Sequence, residues 1–198
     1  ATSAFATNGD NLIATGTKAR AMGGVGIATS FGAESSLSNP ALLSSVKNNE
    51  FSASVTYFSP DVQSRSGMNG TQGTFQESDT PASLIPELAF ATRVNKNIVF
   101  GVSATGTAGM GIDLNTKDSA KAAHMTTELA LMKIAVPVSY QMGALNLGFS
   151  PILQYGTLEI DNDGTGVVRT KDSDTGLGYE LGVSYEAAQG LTMGAVYK

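Results

Sequence analysis

The chain has 198 residues, 41% of them hydrophobic, and a formal net charge of −5 with no cysteine and one histidine. That is enough apolar content for one ordinary core, and the missing cysteine excludes disulfide scaffolds, thiol catalysis and cysteine-ligated metals or clusters. Lysine and arginine form no basic stripe, so the electrostatic footprint of nucleic-acid binding is lacking.

The chain opens with Ala1-Thr2-Ser3-Ala4 rather than Met. This suits a mature chain whose secretion signal has been removed, and equally an arbitrary boundary. Ala19-Arg20-Ala21-Met22-Gly23-Gly24-Val25-Gly26 is too rich in glycine for a stable surface helix, because each interior Gly costs roughly 1 kcal/mol relative to Ala. It reads as compact irregular packing. It follows no strand and lacks the spacing of a phosphate-cradling loop. Asn39-Pro40-Ala41 then separates this segment from the first alternating stretch: Pro40 stiffens the chain and Asn39 can bond locally to the turn.

From residue 51 onward the apolar period is two, in seven segments. They are Phe51–Tyr57, Glu87–Val94, Ile98–Val102, Met132–Tyr140, Leu145–Gly156, Leu177–Tyr185 and Leu191–Tyr197. Glu87, Arg93, Lys133, Glu180 and Glu186 fall on the less apolar faces, where they could pair with the N-terminal segment or line a wet lumen. Pro137 and Pro151 interrupt the fourth and fifth segments as residues without a ladder donor. No apolar run reaches the ~18 residues of a spanning helix, and Leu129–Val138 carries Lys133 and Pro137.

Alternation alone fits a soluble sandwich as well as a membrane barrel. Connection lengths separate the two. Short links at Asn95–Asn97, Met142–Ala144 and Ala187–Gly190 alternate with long ones at Ser59–Ser83, Gly111–Thr127 and Asp161–Thr175. Short periplasmic turns alternating with long outer loops mark an outer-membrane barrel, and Tyr57, Tyr140, Tyr155, Tyr179, Tyr185 and Tyr197 near segment ends suit a thin interfacial girdle. The expected fold is therefore all-β, a transmembrane antiparallel β-barrel of a multi-pass bacterial outer-membrane protein.

Little chemistry of other kinds is visible. His124 lies in an expected loop without a second histidine, and no Gly-x-Ser-x-Gly elbow supports a nucleophile. Asp161-Asn162-Asp163-Gly164 is like the opening of a calcium loop, with Asp172 at the twelfth place, but no flanking helices are expected, and a solvated hairpin loop is the favoured reading. Neither an enzyme, a metal nor a cofactor is expected.

Taken in order, Asn39-Pro40-Ala41, the strand closing with Tyr57-Phe58-Ser59-Pro60-Asp61-Val62, Ile85-Pro86-Glu87-Leu88-Ala89 and the run 106–113 resemble landmarks of the FadL family of outer-membrane transporters for long-chain fatty acids and related hydrophobic compounds. The resemblance implies an N-terminal hatch over 1–48 plugging a fourteen-stranded barrel, of which 49–198 supplies about seven strands. A C-terminal half would then complete it. It also implies passive uptake with sideways release into the membrane through an inward kink of the third strand, where Gly106, Gly109 and Gly111 fall. A flexible approach to the second outer loop is the plainer reading of those glycines. Met68, Phe75 and Met110 are candidate loop or pocket contacts for the ligand, Phe5 a contact at an inner site, and Asn39, Pro40 and Ala41 the hatch anchor. The expected partners are a hydrophobic small molecule and outer-membrane lipid, with no nucleic acid. The rival function is an outer-membrane adhesin or structural barrel with no transport role.

Overall fold

The computed structural model describes residues 14–59, 63–68, 71–78, 82–114, 125–162 and 167–198, with the side chains of 64–68, 71–76, 108, 110, 114, 125, 162 and 167–169 outside the description. A single helical turn, α1 (Thr17–Ala21), and two 3-10 turns, Gly32–Leu37 and Pro40–Ser45, lead into the strands. These are β1 (Asn49–Phe58), β2 (Gln63–Met68), β3 (Thr71–Glu77), β4 (Ser83–Arg93), β5 (Ile98–Leu114), β6 (Met125–Ala135), β7 (Val138–Met142), β8 (Leu145–Asn162), β9 (Val167–Ala188) and β10 (Leu191–Tyr197).

The main sheet is an antiparallel meander in the order β1-β4-β5-β6-β8-β9-β10, with β7 pairing β5 and β8. β6 and β7 are one line interrupted at Val136-Pro137, so the sheet has the seven lines that the alternation predicts. It does not close, since among the described rungs β1 pairs only β4 and β10 only β9. Pro137 breaks its strand, whereas Pro151 leaves β8 continuous. The Pro151 carbonyl accepts from the Val136 N–H at 3.1 Å, so in an antiparallel ladder its missing N–H faces the same interruption and costs β9 nothing.

The two faces settle the environment. Outward rows carry Phe51, Val55, Leu88, Phe90, Phe149 and Leu177, the last 89% exposed, while the inward rows bury Glu87, Ser103, Thr105, Lys133, Ser139, Ser150, Glu180 and Ser184. A soluble sandwich would bury the apolar row. Polar-inside, apolar-outside alternation is what a lipid-facing barrel wall requires.

Several links are shorter than the sequence suggests. β8 and β9 pair from Leu145↔Tyr185 up to Asn162↔Val167, so the expected loop Asp161–Thr175 is mostly strand. Asp172 stands opposite Leu158 in that ladder, which removes the calcium-loop geometry. At 18 and 22 residues these strands far exceed the ~9–11 that cross a bilayer, which is why Tyr155 and Tyr179 sit mid-strand rather than at strand ends. The first long link holds the β2–β3 hairpin, a separate two-stranded sheet. At the opposite end, Gly143 (φ 61°) and Gly190 (φ 82°) allow the tight turns before β8 and β10.

The N-terminal segment packs on the inward face. Leu37, Leu43 and Val46 are fully buried, with Ala89, Ala91, Val99 and Ala135 of the wall also buried on that face. Burial of each large side chain contributes roughly 1.5–3 kcal/mol, and the small wall residues make the room. Arg93 ties the end of the segment down, its Nε donating to Val46 O at 2.7 Å, Nη2 to Ser44 O, and its backbone N–H to Asn48 O at 2.9 Å. The expectation of no helix in the glycine-rich run needs one correction. α1 forms a single turn that ends at Ala21, just before Gly23 (φ 74°) and Gly24 (φ 91°) turn left-handed.

Candidate functional site: a break in the wall between two strands

β4 and β5 are paired from Arg93↔Val99 to Glu87↔Thr105 and then part. Residues 83–86 of β4 continue to pair with β1, where Pro86 lies opposite Val55. β5 instead follows β6, with a register shift that leaves Thr107 as an extra residue between Gly106↔Met132 and Leu131. Such a bulge bends the strand that carries it.

The direction of the bend can be read from side-chain rows. Gly106 belongs to β5's outward row, opposite the exposed Met132, whereas Ile85 belongs to β4's inward row with Glu87, Ala89 and Ala91. Yet a Cβ on Gly106 would lie 2.7 Å from Ile85 Cγ2. An inward side chain of β4 therefore touches the outer face of β5, which means that β5 has stepped to the inner side of its neighbour.

This step leaves a cavity of about 470 Å³, within the size range of small-molecule sites. β4 contributes Leu84, Ile85 and Pro86 to its lining, β5 Gly106, Gly109 and Ile112, and β6 and β8 Met132 and Tyr155. The Asp113 N–H donates to Ser78 Oγ at 2.9 Å across the top, and the Glu87↔Thr105 rung closes the bottom.

Below the cavity, Glu87 gathers donors from the N-terminal segment. Arg20 is bidentate, with Nη1 to Oε1 at 2.8 Å and Nη2 to Oε2 at 2.6 Å. The Gly16 N–H donates to Oε1 at 2.9 Å and Ser54 Oγ to Oε2 at 3.0 Å. With Thr105 Oγ1 a long 3.5 Å from Oε1, a carboxylate only 2% exposed is thus satisfied by a charged fork and three neutral donors, the strong form of such a contact.

A second cavity, about 880 Å³, lies on the inward face between the N-terminal segment (Thr15, Ile27, Ser38) and β6, β8 and β9. Lys133 and Glu180 meet at its wall at 2.9 Å, with Lys198 3.3 Å from the same carboxylate oxygen. The Asn39-Pro40-Ala41 turn lines neither cavity. Asn39 Oδ1 accepts from the Ala41 N–H at 3.0 Å, and its Nδ2 donates to Ile27 O at 2.7 Å and Val183 O at 3.2 Å. Ser139 Oγ donates to Ala41 O at 3.0 Å. The turn presses on cross-strand partners Gly148 and Gly182, where a Cβ would come 2.2 Å from Ala41 N and 2.1 Å from Asn39 Oδ1.

A family model for "outer membrane protein transport protein (OMPP1/FadL/TodX)" matches residues 1–198. The chain belongs to this family. It is an outer-membrane protein, with a partial FadL/TodX-type barrel.

Among curated FadL-type relatives, the long-chain fatty acid transport protein of Shigella flexneri is 24% identical over 124 residues, 61% of this chain and 28% of that protein. Its namesake in Escherichia coli O6:H1 is 22% identical over 191 residues, 81% of this chain and 43% of that protein. A ΔS2S3 mutant of TodX, a monoaromatic hydrocarbon channel, superposes with a TM-score of 0.76 at 18% identity over 91% of this chain and 54% of that one. A Pseudomonas aeruginosa FadL homologue gives 0.59 at 16%, covering 82% and 46%. The chain thus spans less than half the length of these curated relatives. At such identities the solved structures establish the fold alone.

Within this FadL/TodX frame, the residues expected to matter are scattered. Gly106, Gly109 and Gly111 all line the wall cavity, and Asn39, Pro40 and Ala41 sit together on the wall of β7–β9. Met68 and Phe75 belong to the β2–β3 hairpin and Met110 to β5 opposite Leu129, with their side chains outside the description. Phe5 and His124 lie outside the described residues. Of the inward charges, Glu87, Arg93, Lys133 and Glu180 find partners, while Glu186 is exposed near the last tight turn. Sequence reasoning missed Ile85 and Arg20. The signal for Ile85 was its place in Glu87's row; Arg20 carried none beyond being the one charge in the run 19–26.

Proposed function

We propose that this chain is the N-terminal part of a passive outer-membrane uptake channel for hydrophobic small molecules, fatty acids or hydrocarbons, which leave sideways through the break between β4 and β5. Residues 1–48 act as the hatch and 49–198 as half of the wall, completed by further strands. The observation that carries this reading is the inward step of β5, which leaves a largely apolar recess in an otherwise hydrogen-bonded wall. A channel of this kind needs sites that bind enough to admit a ligand and weakly enough to release it, and no energy source. Asn39-Pro40-Ala41 anchors the hatch; Met68, Phe75 and Met110 meet ligand at the outer loops and the pocket, and Phe5 at the inner site. No catalytic step is assigned.

Gly109→Phe tests the route. A Cβ at Gly109 meets no atom within 4 Å, so a side chain can start there without a clash, and Gly109 lines the recess the ring is meant to fill. In cells lacking their own fatty-acid channel, uptake of radiolabelled palmitate should fall by about tenfold or more, on the scale of a lost binding pocket, with membrane insertion and heat-modifiable migration unchanged. Unchanged uptake overturns the wall route. Uptake no greater with the wild-type protein than without it favours the adhesin or structural reading instead.

A further inference from the structure

We infer that Ile85 is the shutter of the wall break and sets the size of molecule that passes. The inference rests on the lateral route proposed above and names the side chain that controls it. Where β4 and β5 part, backbone hydrogen bonds no longer close the wall, so whatever closes it must be a side chain. Ile85 is in that place: it is the first inward residue of β4 beyond the last β4–β5 rung, it lines the recess, and it is only 5% exposed. Its Cγ2 sits over Gly106, in space that any Cβ on that residue would take. The fit of a branched side chain over a bare backbone explains both the burial of Ile85 and the need for glycine at 106.

Ile85 is also held in register from below. Glu87, two residues on in the same inward row, is fixed by Arg20 and Gly16 of the N-terminal segment, so β4 is clamped one step from the shutter. Ile85 is branched at Cβ and therefore stiff at χ1. It opens by a shift of the strand or a change of rotamer, not by free rotation, which makes it a size filter and not a passive lining residue.

The test uses the complete barrel in whole cells with two probes, radiolabelled palmitate as the slim one and a pyrene-bearing fatty acid as the bulky one. The substitutions are Ile85→Val, Ile85→Ala, Gly106→Ala and the double change Ile85→Ala with Gly106→Ala. Trimming the shutter should raise pyrene-probe uptake in the order Ile, Val, Ala, by about tenfold at Ala, with palmitate little changed. Gly106→Ala puts a methyl 2.7 Å from Ile85 Cγ2, jams the shutter and should lower palmitate uptake severalfold; adding Ile85→Ala should restore it, a coupling that general destabilisation does not produce. Heat-modifiable migration confirms folding of each variant, and Ile85→Val carries the comparison if Ile85→Ala does not insert. No change in probe selection together with no rescue overturns the shutter. If Gly109→Phe still blocks uptake in that case, the wall route stands without Ile85; if it does not, both readings fall.

Discussion

Gly148→Ala is the sharpest probe of how the N-terminal segment is held. A Cβ there would lie 2.2 Å from Ala41 N, 2.4 Å from Pro40 C and 2.8 Å from Ala41 Cα, all backbone atoms of a turn that cannot rotate aside. Ordinary contact needs about 3.5–4 Å, so the turn must back off the wall by more than ~1 Å. That displacement stretches two bonds past their useful range, Ser139 Oγ to Ala41 O (3.0 Å) and Asn39 Nδ2 to Val183 O (3.2 Å). Ser139 is fully buried and would be left without this acceptor. One ordinary bond lost and one buried group stranded come to about 2–4 kcal/mol. The docked equilibrium then weakens roughly thirtyfold to a thousandfold. Hydrogen exchange read by mass spectrometry on detergent-solubilised protein reports this directly, because the Leu42 and Val46 amides bond within the turn to Asn39 O and Leu43 O. Exchange across 39–46 should accelerate by that factor, while Gly176→Ala, whose Cβ meets no atom within 4 Å, should leave it unchanged. Equal exchange in the two variants would refute the argument that close backbone contact fixes this turn.

Two other outcomes follow from the same geometry. Glu87→Ala strips Arg20 and the Gly16 N–H of their shared acceptor and should cost about 2–4 kcal/mol of local stability, less than a fully buried pair because Arg20 is partly exposed; trypsin should then cut at Arg20 faster while exchange across 39–46 stays slow. Phe149→Arg, on the outward row midway between Leu145 and Tyr155, should destabilise the inserted barrel by about 2–4 kcal/mol in urea titrations in lipid, against almost nothing for Leu191→Arg beside the last turn.

The seven lines of the sheet were legible because lipid on one side and a wet interior on the other impose a strict period of two, and Phe149, Leu153 and Leu177 have no other reason to alternate with Ser150, Gln154 and Gly178. The break at Pro137 was legible from the missing donor. Strand lengths were not, since the upper parts of β8 and β9 leave the membrane, and Asp172 or Asp174, in the inward row of Glu180, can be strand residues facing water as readily as loop residues. The candidate site was legible only as a cluster of glycines. Gly106 and Gly109 look alike in sequence, yet one lies under Ile85 and the other beside open space, a difference created by a bulge at Thr107 that no local pattern announces. The Arg20–Glu87 pair, 67 residues apart in sequence, depends on where the segment lies against the wall.

Besides the Arg93 tie, two fastenings of the N-terminal segment rest on different physics, and the difference bears on what can move. Asn39-Pro40-Ala41 is seated by shape, backbone against the bare backbone of Gly148 and Gly182, and its bonds run to β7, which pairs the start of β5, and to β9. Shape of this kind has one good fit and loses contacts abruptly on withdrawal. α1 is held by a charge pair and a backbone donor gathered on one carboxylate, an arrangement that another donor or cation could take over without repacking the wall. The exchangeable fastening is the one next to Ile85, and the fixed one is bonded to β7 and β9 instead. On our reading of the wall break, a molecule arriving on the inner side would therefore meet less resistance in displacing α1 than the Asn39-Pro40-Ala41 turn, and the first residue of the wall to feel that displacement would be Glu87, one step below the shutter.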